Sequence, residues 1–194
     1  QDPQQLRRNI GYVFQGIGLF PHYSIAENVA AVPRLLGWDE ERIQQRCAET
    51  LQMVNLPLAE FGERNPDQLS GGQQQRVGVA RALAAEPDVV LMDEPFGALD
   101  PVTRAELQEE FKNIQQQLNL TVIMVTHDMT EALLMADRIA VMKAGEVLQI
   151  GTPAQLVQQP ADHYVREIVD MPRRRAARLE RLLQDMADSD GATQ

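Results

Sequence analysis

The sequence predicts an α/β fold with a largely parallel sheet, on three observations. Short apolar runs rich in strand formers recur along the chain: Ile10-Gly11-Tyr12-Val13-Phe14, Val89-Val90-Leu91-Met92 and Thr121-Val122-Ile123-Met124-Val125. Stretches with apolar residues at helical spacing separate them. The second and third runs are continuous rather than alternating, the pattern of strands buried on both faces of a parallel sheet.

Each element has its own local signal. Gln15-Gly16 ends the first strand, and a loop with two glycines and Pro21 runs to His22. Ser24 precedes Glu27 by three residues, a capping-box spacing, so a helix starts there; Pro33 is expected to break or kink it. Asp39 is the next N-cap, and Ile43, Cys47, Leu51 and Val54 form one apolar helical face. Cys47 sits within that stripe and reads as a buried structural thiol. Ser70 caps a helix whose apolar face is Val77, Ala80 and Ala84, so the chain is mostly helical up to about residue 85. Asp100-Pro101 is an N-cap with a first-turn proline, followed by Leu107, Phe111, Ile114 and Leu118 on one face. A short helix over roughly Met129 to Ala136 follows the third strand. Ile139–Met142 and Val147–Ile150 flank Lys143-Ala144-Gly145-Glu146 and read as a hairpin. A last helical stretch begins near Pro153, a further helix over Met171 to Ala187 is expected, and Gly191 to Gln194 reads as a frayed end. Arg173, Arg174, Arg175, Arg178 and Arg181 make that last helix locally basic, and the reading preferred is a solvated helix face rather than a lipid-binding one, because Asp185, Asp188 and Asp190 follow closely.

Composition narrows the function classes. The 194 residues suffice for one domain with a sizeable core. No internal repeat stands out. No apolar run is long enough to cross a bilayer, and Gln1 to Arg8 carries no apolar signal-peptide core. A net charge of −10 argues against binding nucleic acid through bulk charge. One cysteine excludes an intrachain disulfide framework and a cysteine-rich zinc site.

The residues with chemical potential stand at strand ends and helix starts. Asp93 and Glu94 close the Val89–Met92 strand, and ligands of open α/β sheets gather at carboxyl ends of strands. Of two adjacent carboxylates there, one can hold Mg²⁺ directly or through water and the other can polarise an attacking water. Alone, the pair reads equally well as an N-cap or a surface acidic pair. Ser70-Gly71-Gly72-Gln73 opens a helix with amides free to approach a phosphate, although most Ser-Gly-Gly loops are plain turns. His127 follows the third strand and Gln15 the first; by itself each is an ordinary surface residue.

Read in order, Gln15, Leu69 to Gln73, Asp93-Glu94, Ala98-Leu99-Asp100 and Thr126-His127-Asp128 resemble the Q-loop, signature motif, Walker B, D-loop and H-loop of ATP-binding-cassette (ABC) ATPases, the resemblance covering about residues 5 to 165. Loop wording narrows it. Ile17-Gly18-Leu19-Phe20-Pro21-His22, Val32 to Trp38 and Glu94 to Pro101 look like importer subunits for glycine betaine, choline, proline and related osmoprotectants. The resemblance implies a P-loop NTPase-like domain over 1–165 with a helical subdomain at about 16–85, and a basic helical tail over 166–194. It implies ATP hydrolysis, with Glu94 as the base, His127 on the γ-phosphate, Asp93 and Gln15 toward Mg²⁺, and Gln15 reporting nucleotide state to the membrane subunits. Ser70, Gly71, Gly72 and Gln73 would meet the ATP of a second ATPase subunit packed head to tail, and Asp100 would cross that interface. The implied partners are that second subunit, transmembrane permease subunits docking on the loop after Gln15, and indirectly a solute-binding protein, with no nucleic acid. The implied location is cytoplasmic, peripheral at the inner face of the membrane.

One family feature does not occur in these residues. No Gly-x-x-x-x-Gly-Lys-Ser/Thr stretch exists, and the only lysines are Lys112 and Lys143. The expectation is therefore a chain that starts after its Walker A loop and first strands, inactive alone, with sheet edge and core exposed. A non-catalytic permease-docking module, an importer ATPase for another small solute, and a DNA-repair or translation relative are the alternatives. The acidic charge and the importer-like Phe96-Gly97-Ala98-Leu99-Asp100-Pro101 argue against the last.

Overall fold

The computed structural model describes residues 3–16 and 18–191; Ile17 and the last three residues of the expected frayed end lie outside them. The chain divides into two compact units, Gln1–Thr126 and His127–Gln194.

The first unit holds a parallel three-stranded sheet in the order β1-β2-β3, formed by β1 (Ile10–Val13), β2 (Val89–Asp93) and β3 (Thr121–Val125). Register aligns Tyr12 with Leu91 and Leu91 with Ile123. Between β1 and β2 run α2 (Ile25–Leu35), α3 (Glu40–Met53), α4 (Leu58–Phe61), a 3₁₀ turn at Pro66–Gln68, and α5 (Gly71–Ala84); α6 (Pro101–Leu118) joins β2 to β3. The helix starts are those the sequence signals. Ser24 and Glu27 form a capping box on α2, Asp39 accepts from the Arg42 N–H on α3, and Ser70 and Gln73 form a second box on α5. The helical core is Ile25, Val29, Ile43, Cys47, Leu51, Val77, Ala80 and Leu83, all nearly free of solvent. Gly11 lets β1 lie against α5: a Cβ there would sit 2.5 Å from the Ala82 carbonyl oxygen.

Four expectations change. The β2 run is fully buried on one face only, through Val90 and Met92, while Val89, Leu91 and Asp93 are half-buried. The β3 run is not buried: it is an edge strand, with Ile123 57% and Val125 59% exposed. Their face of the sheet also carries the exposed Tyr12, in register with them through Leu91, and beyond the end of β1 Phe14 is exposed as well. An apolar run has the same composition whether its second face is covered or open, so periodicity could not separate the cases. Pro33 does not break α2 where it stands but is followed by two more helical residues, the chain turning at Leu36 and Gly37. Finally, α1 (Pro3–Arg8) precedes β1 with no cap or apolar stripe to announce it.

The second unit contains α7 (Met129–Met135), an antiparallel hairpin of β4 (Ile139–Lys143) and β5 (Glu146–Gly151), α8 (Pro153–Gln158) and α9 (His163–Gly191). Ala144 and Gly145 both have positive φ, the two-residue turn that matches strand twist. Asp128 caps α7 and Thr152 caps α8. Ala132, Ile139, Val141, Leu156, Val165 and Val169 form one buried cluster. The expected tail helix begins eight residues earlier than Met171 and carries Pro172 inside it; its first turns supply Val165 and Val169 to this core.

Candidate functional site

Two groups of the sequence-predicted residues are brought together within the first unit. The first lies at the carboxyl ends of β1 and β2. The Glu94 N–H donates to the Val125 carbonyl at 2.9 Å, extending the ladder by one residue, and the backbone then turns into the left-handed region with φ +42°. The Gly97 N–H closes that turn on the Glu94 carbonyl at 3.2 Å. A non-glycine residue held there stores on the order of 1–3 kcal/mol, which the ladder bond and the buried Pro95 and Phe96 hold in place. The turn brings the Glu94 carboxylate to Gln15, whose Nε2 donates to Glu94 Oε2 at 2.9 Å. Gln15 is exposed; Asp93 and Glu94 are half-buried. The three therefore face a solvent-accessible strand end, where a ligand can reach them.

The second group lies where α5 and α6 begin. The Ser70 hydroxyl accepts from the Gln73 N–H at 3.3 Å, and Gln73 Oε1 accepts from the Ser70 N–H at 3.0 Å. The box uses the Ser70 and Gln73 side chains on each other, while Gly71 has open space where a Cβ would project. Gly72 differs. It is buried, and a Cβ there would lie 2.6 Å from Thr103 Cγ2 on α6. Close helix packing is thus a sufficient reason for glycine at position 72. Thr103 in turn serves Asp100, whose Oδ1 accepts from the Val102 and Thr103 N–H groups, both at 3.1 Å. Hydrogen bonds from Thr103, side chain first and then backbone, hold the Asp100 carboxyl below the usual carboxylate range.

His127 opens the second unit directly after Thr126, and the neighbouring Asp128 accepts from the Thr130 N–H at 2.8 Å and the Glu131 N–H at 3.3 Å.

Three supporting residues escaped the sequence reading. Asn28 is fully buried and binds the loop after Gln15: it accepts from the Phe20 N–H at 2.8 Å and donates to the carbonyls of Phe20, Tyr23 and Ser24. A polar residue beside Ile25 and Val29 in an apolar helix was its available signal. Arg81, 7% exposed, donates to the Gly18 carbonyl at 2.8 Å. Arg104 donates to the carbonyls of Leu99 at 3.0 Å and Gly97 at 3.4 Å, bracing the turn that carries Asp100. Neither arginine differs in sequence context from a surface one.

The donor set suits a hard cation. Asp93 and Glu94 offer carboxylate oxygens, and the Gln15 amide has its oxygen left as an acceptor when Nε2 serves Glu94. Among the described residues no cluster of three or more His, Cys, Asp or Glu could hold a metal alone. Mg²⁺ takes one or two carboxylates and completes its shell with water and phosphate oxygens. No helix among the described residues is long and apolar enough to cross a membrane.

Residues 1–97 match the family model described as ABC transporter. The chain is 53% identical over 194 residues to the glycine betaine/carnitine/choline transport ATP-binding protein OpuCA of Bacillus subtilis, covering 100% of this chain and 49% of that protein. It is 56% identical over 173 residues to the choline transport ATP-binding protein OpuBA of the same organism, covering 89% of this chain and 45% of the relative. The osmoprotectant import ATP-binding protein OsmV of Salmonella typhimurium is 51% identical over 172 residues, 89% of this chain and 45% of its own length. The chain spans about half the length of these curated relatives. With half of its residues matched by the family model and its strand-end and helix-start residues arranged as described, the chain belongs to the ABC transporter family.

Proposed function

We propose that this chain is part of the ATP-hydrolysing subunit of an importer for osmoprotectants such as glycine betaine, choline or carnitine. The observation that carries the reading is the Gln15–Glu94 contact at the ends of two parallel strands, in a chain about half identical to subunits named for those solutes.

Bound Mg²⁺ would supply charge neutralisation on the phosphates of ATP. Asp93 would hold the metal through water. Glu94 would take the proton of the attacking water, and the Gln15 amide would meet that water and the metal. Because Gln15 already occupies a lone pair of Glu94 Oε2, the water must reach another lone pair or displace the amide, so the state of the first loop and the availability of the base are linked. His127 donates to the γ-phosphate. Ser70, Gly71, Gly72 and Gln73 serve the ATP of a second ATPase subunit through their helix start, and Asp100 crosses between subunits. The exposed Phe20, His22 and Tyr23, their rings in tilted and T-shaped contact on the Asn28-braced loop, receive a permease segment at the inner face of the membrane.

The test uses the whole protein reconstituted with its permease. Glu94→Gln should lower phosphate release and solute uptake together, by about 10²-fold or more. Retained hydrolysis would overturn the assignment of the base. Wild-type docking on the permease with no Glu94-dependent turnover would favour a non-catalytic module. The 194-residue chain alone, with no lysine in a glycine-hydroxyl loop, should show only weak Mg-ATP binding by calorimetry.

A further inference from the structure

Gln15 lies on a segment that the end of α5 touches on both sides. Before it, Gly11 of β1 packs so closely on α5 that a Cβ would come within 2.5 Å of the Ala82 carbonyl oxygen. After it, Arg81 Nη1 donates to the Gly18 carbonyl at 2.8 Å, and the same guanidinium lies 5.7 Å over the Phe20 ring. Gly16 and Gly18 both hold positive φ, so the turn after Gln15 is pliant by composition and side chains must fix where it lies. Asn28 fixes it to α2 from eight residues away or fewer. Arg81 fixes it to α5 across 63 positions.

The other end of α5 is the Ser70–Gln73 start. Ser70 and Gly71 are exposed there, whereas every residue from Val77 to Ala84 is buried. Arg81 stands about 16 Å along the axis from Ser70, at 1.5 Å rise per residue. No proline interrupts the helix, and its second half is buried all round, so it shifts as a rod rather than bending. We propose, resting on the reading of the chain as part of an importer ATPase, that Arg81 is a positioning residue that ties the Gln15 segment and the permease-docking loop to α5, so that a shift of α5 at its Ser70 start is felt at both. The two arrangements it links are Gln15 Nε2 on Glu94, as at 2.9 Å here, and Gln15 withdrawn from it. Without the tie, contact of the Ser70 start with ATP and release of Glu94 by Gln15 become independent events, and hydrolysis proceeds without moving the permease. Lysine would keep the charge and reach the Gly18 carbonyl, but a point charge does not hold carbonyl and ring in one fixed relation.

The test uses the whole protein reconstituted with its permease and solute-binding protein in vesicles, with Mg-ATP on the ATPase side. Radiolabelled glycine betaine, choline and carnitine are each supplied, and the readout is solute taken up per phosphate released. Misfolding of a fraction of the complexes lowers uptake and hydrolysis together and leaves that ratio unchanged, so the ratio separates positioning from stability. Arg81→Gln should lower it by about 5-fold or more, and Arg81→Lys by about 2-fold. Where Arg81→Gln does not assemble, Arg81→Lys decides. A wild-type ratio in Arg81→Gln, or in Arg81→Lys in that case, would overturn the proposal and leave the importer reading standing, as long as Glu94→Gln abolishes hydrolysis in the same vesicles. Hydrolysis indifferent to Glu94→Gln would overturn both.

Discussion

Gly72→Ala isolates the packing role of the Ser70–Gln73 helix start from any role toward a ligand. The added Cβ would lie 2.6 Å from Thr103 Cγ2, well inside the closest approach that real methyl groups show. Thr103 cannot simply rotate away, because its side chain and N–H both hold Asp100. Relief must therefore come from a shift of α6 against α5, an overpacking cost of about 1–3 kcal/mol. Replacing glycine in a helix returns up to about 1 kcal/mol, and less in the first turn. The net expectation is a loss of about 1–2 kcal/mol, a fall in melting temperature of roughly 3–6 °C for a chain of this size. Thr103→Ser removes the colliding methyl and keeps the hydroxyl, so Gly72→Ala with Thr103→Ser should recover most of the loss. The four-variant cycle is read by urea unfolding without nucleotide, with a coupling of at least about 0.5 kcal/mol expected. A neutral or stabilising Gly72→Ala, or a cycle that is additive, would refute the close-packing argument and leave ligand approach as the reason for the glycine.

Two further outcomes follow from the titrating groups. Burial pushes the Cys47 thiol up to about 11, so at pH 8 its thiolate fraction is roughly 200-fold below that of an unfolded chain, and a thiol-disulfide reagent should label it only after denaturation. Rapid labelling of the native chain would contradict the buried position. The depressed Asp100 carboxyl contributes stability that is fully present above its unfolded pKa, near 4, and is lost as pH falls through the lower folded value. Acid unfolding of Asp100→Asn should therefore depend less on pH below about 4 than that of the wild type, and identical acid limbs would show that Thr103 does not hold the carboxylate.

The helix starts were legible because capping is local chemistry. Ser24 with Glu27, Ser70 with Gln73, Asp100 with Pro101 and Thr152 with Gln155 each complete their cap within a few residues. The parallel sheet was legible from its apolar runs, but which faces are covered was not, because coverage depends on chain distant in sequence. That is why β3 was read as buried and is an open edge. At the site, motif order pointed to Gln15 and Glu94 although neither residue is informative alone, and the fold brings them to 2.9 Å. The left-handed turn at Glu94 had no sequence mark, since glutamate does not favour that region. Gly72 shows the converse limit. A Ser-Gly-Gly loop reads as backbone made accessible to a phosphate, yet one of its two glycines is also required by a methyl group 31 positions away, which no local pattern could disclose.

Two of the supporting residues, Arg81 and Arg104, belong to a wider pattern within the first unit. All but two of its 18 basic residues are arginines. Several reach from a helix to backbone carbonyls elsewhere in the first unit. Arg46 donates to Leu83 O at 3.0 Å and Ala84 O at 3.3 Å, at the end of α5. Arg76 donates to Val54 O, the C-cap of α3, at 3.2 Å. Arg81 and Arg104 do the same for the loop after Gln15 and the turn before Asp100. Helix ends and irregular loops leave carbonyls unpaired, and a cation there meets both the missing hydrogen bond and the negative end of the helix dipole. A guanidinium presents donors in a fixed fork, so one side chain can hold two carbonyls in a set relation, as Arg46 does through Nε and Nη2; an ammonium is a single point charge that cannot fix their spacing. Arg81 adds a second constraint, because its guanidinium also lies 5.7 Å over the Phe20 ring, where burial lowers its pKa. The loop after Gln15 and the turn before Asp100 are thus each held by an arginine that donates to their backbone carbonyls. Arg46 and Arg76 pair with carboxylates as well, Arg46 with Glu49 at 3.1 Å and Arg76 with Glu110 at 2.9 Å, so each ties a helix end and a neighbouring acidic side chain together.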